Sequence, residues 1–135
     1  MDKVVLDTNI VSYLTKKTSP LRSLYLPHLQ ERTLCISFVT VGELYLGAEK
    51  DEWGEDRWRQ LNAMIRRFVV LPYDYAVARK YAWVVMTVRR QRAQIDFPDA
   101  WLAATALAYD TSLVTHNKRH FEGVPGLKVI SEYKP

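Results

Sequence analysis

The residues of this 135-residue chain best placed to do chemistry are acids. Asp7, Glu43, Asp74, Asp96 and Asp99 each fall at or near the end of an apolar run or the start of a helical pattern. Each has an ordinary structural reading: aspartate is a preferred helix N-cap, and acids suit the first helical turn. Thr40 to Glu43 also has the spacing of a capping box. Taken together, three of them suggest more. Asp7 follows Val4-Val5-Leu6 directly, Glu43 follows a second apolar run by a few residues, and Asp99 opens a helix that leads into a fourth. If those runs are parallel strands, their carboxyl ends share one edge, where open α/β sheets bind ligands. Three carboxylates in one pocket repel each other unless a cation offsets them. Oxygen-only donors with few protein ligands favour Mg²⁺ or Mn²⁺. Such an ion supports hydrolytic phosphoryl chemistry, by acidifying water and stabilising charge on phosphate oxygens.

Other chemistries lack their residues. None of the five glycines lies in a phosphate-loop spacing, and His28, His116 and His120 have no partners at zinc spacing. Cys35 has no nearby acid–base signature, and Ser37 no nucleophile-elbow context. Asn9 stands where a phosphoaspartate phosphatase of the haloacid dehalogenase type carries a second acid.

The elements that must position these acids follow from hydrophobic periodicity. Strands are expected at Val4–Leu6, Leu34–Ser37, Val69–Leu71, Ser112–Thr115 and Leu127–Ile130. Helices are expected over about Ile10–Leu14, Leu21–Gln30 (weakened by Pro27), from Thr40, around Trp58–Phe68, over Tyr75–Gln91 capped by Asp74, and from Asp99. Ile95 to Pro98 reads as a loop, with Asp96 either a solvated acid, the favoured reading, or a residue supporting the site from behind. The segment Trp101–Ala108 is apolar nearly all round, so its helix should be buried. Short apolar strands alternating with helices imply an α/β fold, a parallel sheet covered on both faces.

Length suggests one domain, and 48% apolar with 25% charged residues is globular composition. No signal peptide or membrane-length apolar run is evident, and one cysteine suits a reducing cytosol, so a cytoplasmic protein is expected. The net charge of +4 is concentrated after residue 50, in Arg57/Arg59, Arg66/Arg67, Arg89/Arg90/Arg92 and Lys118/Arg119. These are either solvated helix faces or a footprint for a phosphate backbone. Tyr13, Tyr45, Trp53 and Trp58 either stack on unpaired bases or close a core or interface.

With those residues placed, the chain resembles the PIN-domain family, and within it the VapC-type toxins of toxin–antitoxin pairs. The resemblance is carried by VVLDTNIVSYL, SFVTVGELYLGAEK, IDFPDAWLAATAL and LVTHNKRHFEGVPGLKVI, which occur in the family's order. It implies a three-layer α/β/α fold with a five-stranded parallel sheet in the order 3-2-1-4-5. It implies a Mg²⁺- or Mn²⁺-dependent endoribonuclease acting on structured RNA such as tRNA, with Asp7, Glu43 and Asp99 as catalytic metal ligands. The family often carries a fourth acid after strand 4. Here Asn117 stands at that position, able to act only through water, and His120 stands where another acid often falls. Thr8 and Thr115 are expected as auxiliary polar residues, and Lys118, Arg119, Arg89, Arg90 and Arg92 as RNA-backbone contacts. The implied partners are a second copy of the chain and an antitoxin (VapB-like or similar), with DNA met only indirectly through that antitoxin. An apolar groove near Leu44, Tyr45, Trp53 and Trp58 would suit an antitoxin helix. Two other functions fit the residues: a PIN-fold module that only binds RNA or protein, and a metal-dependent phosphatase for small substrates.

Overall fold

The computed structural model describes residues 2–135. The elements, in chain order, are β1 Lys3–Leu6, α1 Thr8–Thr15, α2 Pro20–Leu29, β2 Thr33–Ser37, α3 Phe38–Lys50, α4 Glu55–Ile65, β3 Val69–Leu71, α5 Tyr75–Arg90, α6 Phe97–Ala108, β4 Ser112–Val114, a single 3₁₀ turn Lys118–Phe121 and β5 Val129–Ile130. All the strand pairs are parallel and the sheet order is β3-β2-β1-β4-β5. This is the expected α/β architecture and strand order.

β1 shows why the sheet is central. Val4, Val5 and Leu6 are all buried, as a strand covered on both faces requires. Strand side chains alternate between faces. Val4 and Leu6 accordingly join a core with Ile10 and Val11 of α1, Tyr25 and Leu29 of α2, Val41 and Ala48 of α3, and Leu61 and Ile65 of α4. Val5 points the other way, into a core with Cys35, Leu113, Val84 and Val88 of α5, and Ala100 and Ala103 of α6. Helix α6 is buried along most of its length, as its all-round apolar sequence requires, and its alanines let α5 pack closely.

Several boundaries differ from expectation, each for a local reason. Helix α3 starts at Phe38, because Ser37 is its N-cap and accepts a bond from the Thr40 amide at 3.3 Å. Thr40 is therefore a buried first-turn residue, and the capping box with Glu43 does not form. Helix α6 starts at Phe97 with Asp96 at the N-cap position, so Asp99 lies in the first turn rather than capping it. Pro98 marks the helix start rather than a loop, since a first-turn residue needs no amide donor. Helix α2 tolerates Pro27 on its exposed side, where water can satisfy the freed carbonyl. The segment after β4 forms a single 3₁₀ turn at Lys118–Phe121, and the last strand is reduced to Val129–Ile130. No helix among the described residues is long and apolar enough to cross a membrane.

Candidate active site

From the central strand, chain order leads to β2 on one side and to β4 on the other. The crevice between the ends of β1 and β4 is the switch point of the sheet. Asp7 sits at the end of β1 and Thr115 at the end of β4. The Asp7 amide donates to Val114 O at 2.9 Å, fixing the two strand ends together.

Asp7 is 8% exposed and its carboxylate is held from several sides. Oδ1 accepts from the Thr8 amide at 2.7 Å, and Oδ2 accepts from the fully buried Thr115 hydroxyl at 2.7 Å. Asn9 Nδ2 lies 3.5 Å from Oδ2. The Asn117 amide donates in turn to Thr115 Oγ1 at 3.0 Å, so the loop after β4 is tied to Asp7 through one hydroxyl. Burial pushes the Asp7 carboxyl above its ordinary range, and the bonds from Thr115 and Thr8 pull part of the way back. Asp7 is also the N-cap of α1. Capping and a ligand-facing role coexist in one side chain.

Glu43 comes from the second turn of α3. Thr8 Oγ1 donates to Glu43 Oε1 at 2.7 Å. The Thr8 and Thr40 hydroxyls also bond to each other at 3.1 Å. Thr8 has one proton and gives it to the carboxylate, so Thr40 must be the donor in that second pair. Asp99, from the first turn of α6, reaches the same pocket from the opposite layer. Its carboxyl is pushed up to about 6, by burial first and then by the charge of Asp7. His120 Nδ1 lies 3.1 Å from Asp99 Oδ2.

A cavity of about 410 Å³ joins these groups, walled by Asp7, Thr8, Asn9, Glu43, Asp96, Pro98, Asp99, Leu102, Asn117 and His120. Asp7, Glu43 and Asp99 therefore meet, as do Thr8 and Asn117, while Thr115 supports Asp7 from behind. Asp96 is solvent-exposed as expected, but it is the N-cap position of α6 rather than a loop residue, and it also lines the pocket. The signal was its place three residues before Asp99, which puts both on one helical face. Asn9, two residues after Asp7, is a further wall residue that the sequence reading passed over as a site residue. Arg89, Arg90 and Arg92 do not line the cavity. They lie at the exposed end of α5, which Gln91 ties to the segment after the 3₁₀ turn by donating to Gly123 O at 2.8 Å. Lys118 and Arg119 are on the turn itself, beside Asn117 and His120, around a small adjoining hollow. Tyr13, Trp53 and Trp58 are partly buried and pack against the core of α1–α4, the second of the two roles expected for them. Tyr45 is partly exposed, bonded to Asn62 Oδ1 at 2.7 Å and packed on Trp58.

The donor set fits a hard cation. Four carboxylates, two amides and a hydroxyl supply oxygen, and Asp7 pushes the Asp99 carboxyl up while His120 offsets only part of that repulsion. Among the described residues no three acids, histidines or cysteines stand close enough to form a finished metal cage. A bound ion would complete its shell with water, as Mg²⁺ commonly does.

Comparison with known proteins agrees with this geometry. Residues 4–127 match the PIN domain family. The chain is 34% identical over 128 residues to Ribonuclease VapC2 of Haemophilus influenzae, covering 95% of this chain and 96% of that one. It is 34% identical over 129 residues to the tRNA(fMet)-specific endonuclease VapC of Shigella flexneri, with the same coverage. Among solved structures, DNA-bound VapBC from Salmonella typhimurium aligns with a TM-score of 0.82 at 30% identity, over 97% of this chain and 98% of that one. With an acid pocket at the switch point of a 3-2-1-4-5 sheet and relatives matching nearly end to end, the chain belongs to the PIN domain family, in its VapC branch.

Proposed function

We propose that the protein is a divalent-metal-dependent endoribonuclease and the toxin of a toxin–antitoxin pair. The observation that carries this reading is the convergence of Asp7, Glu43 and Asp99 on one pocket, from two layers of the fold, with the charge of Asp7 helping to push the Asp99 carboxyl up to about 6. The relatives support it: they are named ribonucleases, one of them specific for tRNA(fMet).

Asp7 and Asp99 are the residues that would hold Mg²⁺ or Mn²⁺, with Glu43 and Asn117 acting at its rim through water. When bound, such an ion acidifies water and offsets charge on the phosphate. The remaining work is done by the chain. Thr115 and the Thr8 amide fix both oxygens of Asp7, and Thr8 fixes one oxygen of Glu43, so these acids do not have to be ordered when substrate arrives. Leu102 and Pro98 give the pocket an apolar wall. Lys118 and Arg119 hold the RNA backbone beside the pocket, with Arg89, Arg90 and Arg92 farther along. Among the described residues none of these five forms an ion pair with an acid, which leaves them free for phosphate.

Two surfaces serve the partners. The antitoxin occupies a groove of about 540 Å³ between α1, α2 and α4, floored by Leu14, Trp53, Leu61, Met64 and Phe68 and rimmed by Lys17, Arg22, Arg57 and Arg67. An apolar floor with a basic rim suits an amphipathic segment bearing acids. A VapBC structure and a toxin-antitoxin complex among the neighbours support an antitoxin as partner. The homodimer forms through an aromatic ladder in which Phe38, Tyr73, Trp101, Tyr81 and Phe97 pack in series. Phe38 is 54% and Phe97 70% exposed. The ladder runs between the starts of α3 and α6, so pairing there sets two pockets side by side. Phe97→Glu should shift sedimentation from dimer to monomer; an unchanged dimer rejects this face.

The deciding experiment incubates wild type and Asp7→Asn with a panel of structured RNAs, with Mg²⁺, with Mn²⁺ and with chelator. Metal-dependent cleavage lost in the variant is the expected result. Binding without cleavage would instead indicate a binding module, and hydrolysis of small phosphate esters alone a phosphatase.

A further inference from the structure

The acid pocket contains one nitrogen heterocycle. His120 lies on the 3₁₀ turn, whose position is fixed by two neighbours: Phe121 is buried in the α5–α6 core, and the His120 amide donates to Asn117 O at 3.0 Å. The imidazole lines the pocket with about half of its side-chain surface exposed. Its Nδ1 is 3.1 Å from Asp99 Oδ2. An ionised carboxylate only accepts hydrogen bonds, so the bond requires a proton on Nδ1. In the neutral ring Nε2 is then the acceptor.

We propose that His120 is a positioning residue for Asp99: its Nδ1–H occupies Oδ2 and turns Oδ1 toward the cation. This inference rests on the metal-dependent reading above. Asp99 is the one member of the three acids for which the protein offers no other side-chain donor among the bonds described. Asp7 has Thr115 and Glu43 has Thr8, whereas Asp99 has His120 alone. A carboxylate that can rotate freely binds a metal less well than one already oriented, and loss of such an outer partner commonly costs a site roughly 10–100-fold in affinity or activity. The ring supplies this orientation without adding a further carboxylate to a pocket in which Asp7 and Asp99 already oppose each other.

The test is Mn²⁺ binding followed by calorimetry at one fixed pH. Wild type, His120→Ala and His120→Asn are compared, with the melting temperature of each measured in chelator. Asparagine can place its amide N–H where Nδ1–H stands. The expected result is a Mn²⁺ affinity weaker by roughly 10–100-fold in His120→Ala and largely restored in His120→Asn, at similar melting temperatures. Equal or tighter binding by His120→Ala overturns the proposal, because the ring then does not assist the acid or even competes with the ion. Equal loss in both variants also overturns it, since the donor would not be what matters. If wild type binds no Mn²⁺, the metal-dependent reading itself falls, an outcome distinct from these.

Discussion

The acid pocket and the α1–α2–α4 groove differ in how they are built. The pocket is a set of polar groups whose positions are fixed in pairs, hydroxyl to carboxylate and amide to carboxylate, over distances near 2.7 Å. The groove is a trough of long side chains with few directional bonds. Within it the Arg57 guanidinium lies 4.0 Å from the centre of the Trp53 ring, and Arg22 Nε makes a 3.4 Å contact with Leu14 O. Chemistry on a phosphate gains from preorganised charge. Docking a flexible partner gains from apolar area and an adaptable rim. The two regions should therefore respond to mutation in opposite ways, and independently.

The sharpest break is Asp7→Asn. The substitution keeps the N-cap and removes the charge. Cleavage should fall by more than the ~100-fold upper end seen when only the partner of a metal ligand is lost, while affinity for the antitoxin groove stays within a few-fold. RNA cleavage rates and a binding titration check the two halves. The reverse experiment is Trp53→Ala. Removing a central aromatic from the groove should weaken antitoxin binding by about 2 kcal/mol or more, roughly 30-fold, with the cleavage rate of the free protein unchanged. Loss of cleavage in that variant would mean that the two regions are coupled. Thr115→Val is smaller and sharpens the picture of the pocket. It keeps the buried shape but leaves Asp7 Oδ2 without its donor, a loss of about 1–3 kcal/mol that should appear in cleavage rate. If the rate is unaffected, Asp7 is not held by Thr115 in the working enzyme.

The same contrast explains what could be read from the sequence. The parallel sheet covered on both faces follows from short apolar runs such as Val4, Val5 and Leu6, whereas the strand order came with the family resemblance. The meeting of Asp7, Glu43 and Asp99 follows from parallel topology, because one sheet edge gathers all strand ends. The reading failed where a residue has two local options. Thr40 and Glu43 have capping-box spacing, but Ser37 caps earlier and frees Glu43 to bond Thr8, 35 positions away. Ile95 to Pro98 read as a loop with Asp99 as the cap, yet Asp96 is the N-cap position and Pro98 a helix-start residue. The aromatic ladder escaped because Phe38, Tyr73, Tyr81, Phe97 and Trp101 come from four separate segments. No local pattern announces a contact that only tertiary packing creates.

The smallest expected effect tests whether the pocket is strained for the sake of its function. Asp99 is raised from 3.8 to about 6, by burial and by Asp7. In the unfolded chain it titrates near its ordinary value. Between these two values the folded protein binds more protons than the unfolded one, so stability falls as pH rises through that window. The contribution is fully present below about pH 4 and is lost above about pH 6. Asp99→Asn has no such titration. In chelator it should match wild type near pH 4 and exceed it at pH 7 by on the order of 1–2 kcal/mol, a rise of several degrees in melting temperature. RNA cleavage should meanwhile be lost. Melting curves of both proteins across pH 4–8 check the sign. A variant less stable than wild type at pH 7 would show that the hydrogen bond from His120 outweighs burial and repulsion at Asp99, and that the carboxylate sits in a favourable environment even without a cation.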